Sequence, residues 1–241
     1  MSQAALAQAV LSAEQIQEFY HDAFVGDQVR DFRVLLGDRS VGIVLDVGGG
    51  CGFFARSLSH EGGYQTRVMD MDPTSIENCR TIGVDGRIGD ALAPNPVGDE
   101  EVVCFNLILH HLVGKTENET RELQIRALRA WRGKAARLFV NEYIYQSLVG
   151  QISGRLIYEI TSSEFLSSIG RQIARVIPSF KANTFGVGVR FRSREQWMDL
   201  FSEAGFCVEN SSVGSPEYVS PPLRGLMIKT IRRDSFLLKA A

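Results

Sequence analysis

The stretch "VLDVGGGCGFF", Val44–Phe54, sets a short apolar run against four glycines in five positions, with Cys51 between the third and the fourth. Glycine at this density unsettles both strand and helix, so Gly48, Gly49, Gly50 and Gly52 mark a loop in which main chain approaches something closely. The β-branched run before it, "VGIVLDV", reads as a strand, and "GFFARSLSH" after it reads as a helix. A strand feeding a glycine turn and then a helix aims backbone N–H groups and the positive helix end at whatever lies on the strand's C-terminal edge. A dinucleotide fingerprint would place its third glycine at Phe53, and a phosphate loop would close on GK[ST]; neither spacing is met. The spacing present is an acid followed by GxGxG: Asp46, Gly48, Gly50, Gly52.

Outward from this loop the chain alternates. "TRVMDM" reads as the next strand, and "DPTSIENCR" as a helix with Asp72 at its N-cap and Pro73 at its first position. "GRIGDA" and "EEVVCFNLI" carry two more strands, "TENETRELQIRALRAWR" a capped helix, and "AARLFVNEYI" a fifth strand. Strand–helix alternation of this kind predicts a parallel sheet. Residues 12–36 read as one or two amphipathic helices, with Ile16, Phe19, Tyr20, Phe24 and Val29 at helical spacing. "SREQWMDLFSEAG" restores a helix ending at Gly205, and "FCVENSSV" and "LRGLMIKTIRR" read as the last strands. Four divisions follow: an N-terminal helical lid (1–40), an α/β core (41–142), a mostly helical cap inserted after strand five (143–190), and the C-terminal part of the sheet (191–241).

The four motifs at the strand ends resemble those of the class I S-adenosylmethionine (SAM)-dependent methyltransferases, of the bacterial small-molecule type. "DVGGGCG" is similar to their first motif, "VMDMDP" to the second, "IGDAL" to the third, and "NLILHHL" to the segment after strand four. The resemblance covers about residues 41–142 and implies a seven-stranded Rossmann-like sheet. It also implies SAM as cofactor, S-adenosylhomocysteine as product, and a methyl acceptor that is a small molecule, with oxygen favoured over nitrogen or carbon. On the matching positions it implies Asp46 near the methionine amino group and Gly48, Gly50 and Gly52 under the ligand. The same resemblance implies that Asp70, with Met71 beside it, would take the ribose hydroxyls, that Asp90 with Ala91 would take the adenine edge, and that Asn106 would lie in the floor of the site. The residues agree: an acid about twenty positions after the glycines suits a ribose diol.

Methyl transfer to a hydroxyl needs alignment and a base with a pKa near neutrality. The chain has four histidines, His21, His60, His110 and His111. The last two follow strand four and are the candidate bases; Glu142, at the end of strand five, is a further catalytic candidate that would orient a substrate hydroxyl or amine, or else make a structural hydrogen bond at the strand end. Tyr20, Tyr143 and Arg190 are candidate substrate contacts; Arg190 or Arg192 would meet a substrate anion or pair with Glu195.

The 241 residues carry a formal charge of −2, which advertises neither nucleic acid nor an anionic surface as partner. Cys51, Cys79, Cys104 and Cys207 show no metal-ligand spacing and read as reduced thiols. No apolar run approaches the roughly 20 residues of a membrane span. The expectations are therefore a cytoplasmic enzyme with a small-molecule partner, no metal, no stable membrane insertion, and an apolar cap that also suits a homodimer.

Overall fold

The computed structural model describes residues 25–162 and 188–241. Tyr20, His21 and most of the expected cap lie outside these residues. The elements run α1 (Val25–Leu36), β1 (Ile43–Val47), α2 (Phe53–Gly62), β2 (Gln65–Asp70), α3 (Pro73–Thr81), β3 (Asp85–Ile88) and β4 (Glu100–Asn106). A 3-10 turn (Leu109–His111), α4 (Glu117–Arg129), β5 (Arg137–Ser147), α5 (Ser153–Ser162), α6 (Arg194–Glu203), β6 (Phe206–Ser212), α7 (Pro221–Arg224) and β7 (Ile228–Ala240) follow. The seven strands form one sheet in the order β3-β2-β1-β4-β5-β7-β6; the first five are parallel and β7 is antiparallel to both neighbours. This is the expected architecture. Its order reverses between β1 and β4, which is where an open parallel sheet leaves a crevice at its C-terminal edge.

Both faces of the sheet are covered, so its strands are apolar runs in which consecutive residues point to opposite layers. Leu45, Val103, Leu138 and Phe236 join Trp131, Trp197 and Phe201 on one side. Val44, Val102, Phe139 and Leu237 join Phe32, Phe54 and Leu58 on the other. Phe32 of α1 centres the second layer, with ring centroids 5.2 Å from Phe139, 5.3 Å from Tyr64 and 6.1 Å from Phe54. Helix starts follow local chemistry. Asp72 caps α3 ahead of Pro73, Thr116 and Glu119 form a capping box on α4, and Ser193 and Gln196 form one on α6.

Two strands run further than the sequence predicts. β5 continues past 142 to Ser147 because its whole length pairs with β7, so the first residues of the expected cap belong to the sheet. The last strand occupies Ile228–Ala240, whereas Leu223 and Arg224 lie in α7. Of the expected cap, Ser153–Ser162 is helical as predicted. No helix among the described residues is long and apolar enough to cross a membrane.

Candidate functional site

The C-terminal ends of β1, β2 and β4 bring Asp46, Asp70 and Asn106 together around the glycine loop. Gly48, Gly50 and Gly52 all have left-handed backbone, with φ of 68°, 52° and 81°. Their missing side chains serve different neighbours. A Cβ on Gly48 would collide with Ile108 Cδ1, one on Gly49 with the Asp46 carboxyl, and one on Gly52 would lie 3.0 Å from Cys79 Sγ. Only Gly50 of the four faces open space. Three of these glycines therefore make room for the protein itself, and Gly50 is the one that leaves main chain open to a ligand.

Asp70 holds this loop in place: its carboxylate accepts from Gly50 N at 2.9 Å and from Asp72 N at 2.8 Å. Burial raises its pKa against those hydrogen bonds. Asp46 is 2% exposed and accepts from Asn106 Nδ2 at 3.3 Å. Burial, opposed by that bond and reinforced by the nearby Asp70 charge, pushes its pKa up to about 8. The Asn106 Oδ1 atom is buried and has no hydrogen-bond partner. Asp90 caps the turn after β3 by accepting from Leu92 N at 2.8 Å; Ala91 is buried beside it, and Met71 is 46% exposed at the end of β2. The result is an acid-lined edge with one open glycine, suited to a ligand rich in N–H and O–H donors and carrying positive charge.

A second group of residues is built at the end of β4. Leu107 has a φ of 52° and donates its N–H to Asn141 O, turning the chain into the 3-10 turn. There His110 Nδ1 lies 2.7 Å from Glu142 Oε2, and Leu109 N donates to Glu142 Oε1 at 2.7 Å. Glu142 is 0% exposed and His110 4%. Facing a carboxylate, Nδ1 carries the proton, which leaves Nε2 as the basic lone pair. The His111 ring lies 4.1 Å from that of His110, and burial together with that neighbour pushes the His111 pKa well below its ordinary value. His110 has a carboxylate partner that can orient its ring and stabilise its protonated form. The structure thus joins His110 and Glu142 in one dyad.

Tyr143, Tyr145 and Phe191 stand beside the dyad. Phe191 stacks on Tyr145 with centroids 4.2 Å apart, and Tyr143 meets the His110 ring edge-on at 5.9 Å. Burial raises both tyrosine pKa values, that of Tyr143 to about 12, so both hydroxyls stay protonated. Arg190 is turned elsewhere. Its Nε lies 2.6 Å from Glu117 and its Nη1 meets Phe191 O, while Arg192 Nη1 lies 2.9 Å from the same Glu117. The partner of both arginines is thus Glu117 rather than Glu195. The sequence reading missed Glu117, Gln124 and Phe191; the alternating "VGVRFR" was the one local sign that this segment would run extended. All four cysteines are free thiols, and the described residues contain no cluster that would hold a metal ion.

No protein-family model matches the chain, and no curated protein matches it. Solved structures do. The mitomycin 7-O-methyltransferase MmcR aligns with a TM-score of 0.56 at 14% identity, over 91% of this chain and 54% of that one. A structure described as a pericyclic reaction enzyme aligns at 0.54 and 15%, over 87% and 46%. Haemonchus contortus phospholethanolamine N-methyltransferase 2, solved with S-adenosylhomocysteine, aligns at 0.51 and 11%, over 89% and 52%. The chain thus spans about half the length of these proteins. At such identities the likeness establishes the fold, that of the Rossmann-like methyltransferases.

Proposed function

We propose that this chain is a SAM-dependent methyltransferase acting on a hydroxyl group of a small, partly apolar molecule, with His110 as the general base. The observation that carries the reading is the buried His110–Glu142 dyad at the end of β4, next to an acid-lined glycine loop on the same sheet edge. The neighbours support it: one is an O-methyltransferase by name, and another is an N-methyltransferase solved with the demethylated cofactor. The mitomycin enzyme also suggests a place in natural-product biosynthesis.

The residues fit SAM. Gly50 offers unobstructed main chain, Asp70 would accept from a ribose diol, and Asp90 would accept from an adenine amino group. Met71 and Ala91 supply apolar contacts to the base, and Asp46 with the unpaired Asn106 Oδ1 suits an ammonium group. When bound, SAM would supply an electrophilic methyl carbon to the acceptor oxygen, with its sulfur taking the C–S electron pair to give S-adenosylhomocysteine. His110 Nε2 takes the hydroxyl proton as the oxygen becomes nucleophilic. Glu142 steadies the imidazolium so formed and fixes the ring through Nδ1, the division of labour found in other histidine–carboxylate pairs. Tyr143 and Tyr145 form an apolar wall for the acceptor and help exclude water.

Calorimetric titration with SAM and S-adenosylhomocysteine tests the cofactor, with Asp70→Ala expected to weaken binding by at least about tenfold, or 1.4 kcal/mol. Release of S-adenosylhomocysteine on addition of small hydroxylated acceptors, lost in His110→Gln, tests the reaction. A second reading keeps SAM bound and changes the chemistry, as the neighbour described as a pericyclic reaction enzyme suggests. Turnover of an acceptor without release of S-adenosylhomocysteine would favour it.

A further inference from the structure

β4 ends at Asn106, opposite Asn141, while β5 runs on to Ser147. β7 stays paired along one side of this extension. The side that β4 vacates is taken up by the short segment 188–193. Arg192 pairs in parallel with Ile144, and Tyr145 N donates to Arg192 O at 3.0 Å. A buried strand edge needs such partners, since unpaired backbone groups are costly away from water.

The same segment holds His110 in two ways. Arg190 N donates to His110 O at 2.9 Å, and the Phe191 ring stacks on the imidazole with centroids 5.0 Å apart and planes 29° from parallel. Charge fixes the segment in turn. Glu117, in the first turn of α4, takes both Arg190 and Arg192; Arg192 Nε donates to Gln124 Oε1 at 2.7 Å, and Gln124 Nε2 donates to Leu109 O at 2.9 Å. Leu109 and His110 are therefore gripped at the Leu109 N–H, at both carbonyls and at the imidazole. Glu142 alone cannot do this. A single hydrogen bond through Nδ1 leaves the imidazole free to tilt about that bond, and tilting swings Nε2 away from an acceptor.

We propose that Phe191 and the Glu117–Arg190–Arg192 clamp are positioning residues for His110, holding its ring so that Nε2 faces the methyl acceptor. This rests on His110 being the base. It is tested by nitrogen and proton resonances of protein labelled with 15N-histidine, with His110→Gln identifying the His110 signals. In the wild type, the His110 Nδ1 proton is expected to exchange slowly and Nε2 to show the shift of an unprotonated nitrogen. Phe191→Leu and Glu117→Gln are expected to speed that exchange by at least about tenfold, because the ring opens locally more often. Phe191→Tyr, which keeps the stacked ring, is expected to retain the wild-type rate. Affinity for S-adenosylhomocysteine is expected to stay within about twofold in all three variants.

Folding of each variant is checked by its melting curve. Glu117→Asp replaces Glu117→Gln if the latter does not fold, with an intermediate rate expected. Wild-type exchange and nitrogen shifts in a folded Phe191→Leu protein would overturn the proposal, as would failure of tyrosine to restore them. A wild type that binds no S-adenosylhomocysteine sinks the methyltransferase reading instead and leaves the ring measurement standing, so the two failures are distinct.

Discussion

The raised pKa of Asp46 predicts that binding of S-adenosylhomocysteine releases a proton. With its pKa near 8 in the free protein, Asp46 is protonated in about nine molecules of ten at pH 7. A ligand whose α-ammonium sits beside it needs the carboxylate, so binding below pH 8 must expel that proton. The apparent Kd then scales as 1 + 10^(8−pH), roughly 100 at pH 6 and 11 at pH 7. Affinity should therefore rise about ninefold over that unit, or about 1.3 kcal/mol. Both values lie below the α-amino range of about 7.7–8.0, so the ligand itself stays mostly cationic. The assay is calorimetric titration with S-adenosylhomocysteine at pH 6 and 7, in buffers of different ionisation heat. Release of about 0.9 proton at pH 7 is expected from the wild type and none from Asp46→Asn. An equal pH slope in the two proteins, with no buffer dependence of the heat, would refute the reasoning. The free protein offers an independent check. The folded pKa of Asp46 lies above its unfolded value of 3.8, so the folded state binds more protons between the two. The stabilisation is complete below the unfolded value and is lost as pH climbs toward 8, at up to about 1.4 kcal/mol per unit. Urea unfolding at pH 5 and 7 should show a steeper loss in the wild type than in Asp46→Asn.

His110→Gln and Glu142→Gln should each lower methyl transfer by about 10²–10⁴-fold while leaving S-adenosylhomocysteine affinity nearly unchanged, as stopped-time product assays and calorimetry will report. Gly48→Ala and Gly50→Ala should separate structure from binding. The first drives a methyl group into Ile108 and should cost about 1–3 kcal/mol in a denaturant titration. The second meets open space and should melt nearer the wild type, yet lose at least about tenfold in cofactor affinity because its methyl group fills the ligand's approach. Phe32→Ala removes the ring that joins α1 to Phe54, Tyr64 and Phe139; it should destabilise the fold by about 3–5 kcal/mol, read by thermal or urea unfolding.

What could be read from the sequence is what local spacing encodes. The glycine loop, the acid ending β2, the Asp72–Pro73 helix start and the polar-capped helix opening at Thr116 each lie within a few residues, and each took its expected place. The glycine loop also shows where such reading stops. Gly48, Gly49 and Gly52 look as ligand-facing as Gly50 in the sequence, but their missing side chains accommodate Ile108, Asp46 and Cys79. Those neighbours are chosen by tertiary packing, to which spacing is blind.

The environment of the candidate base was hidden for the same reason, carried over a longer distance. Arg190 and Glu117 are separated by 73 residues, and Glu142 and His110 by 32. No window of sequence contains either pair. The sequence offered Arg190 or Arg192, at the end of the cap, either a substrate anion or Glu195 as partner; the fold pairs both with Glu117. The arginine then serves the site indirectly, by fastening the segment whose aromatic ring lies on His110. A charge near a candidate active site is thus equally suited to contact a ligand or to hold the residue that does, and only the identity of its partner separates the two. The exchange rate of one imidazole proton reads the second role directly, because loosening the clamp should change the motion of His110 without changing the charge offered to a ligand.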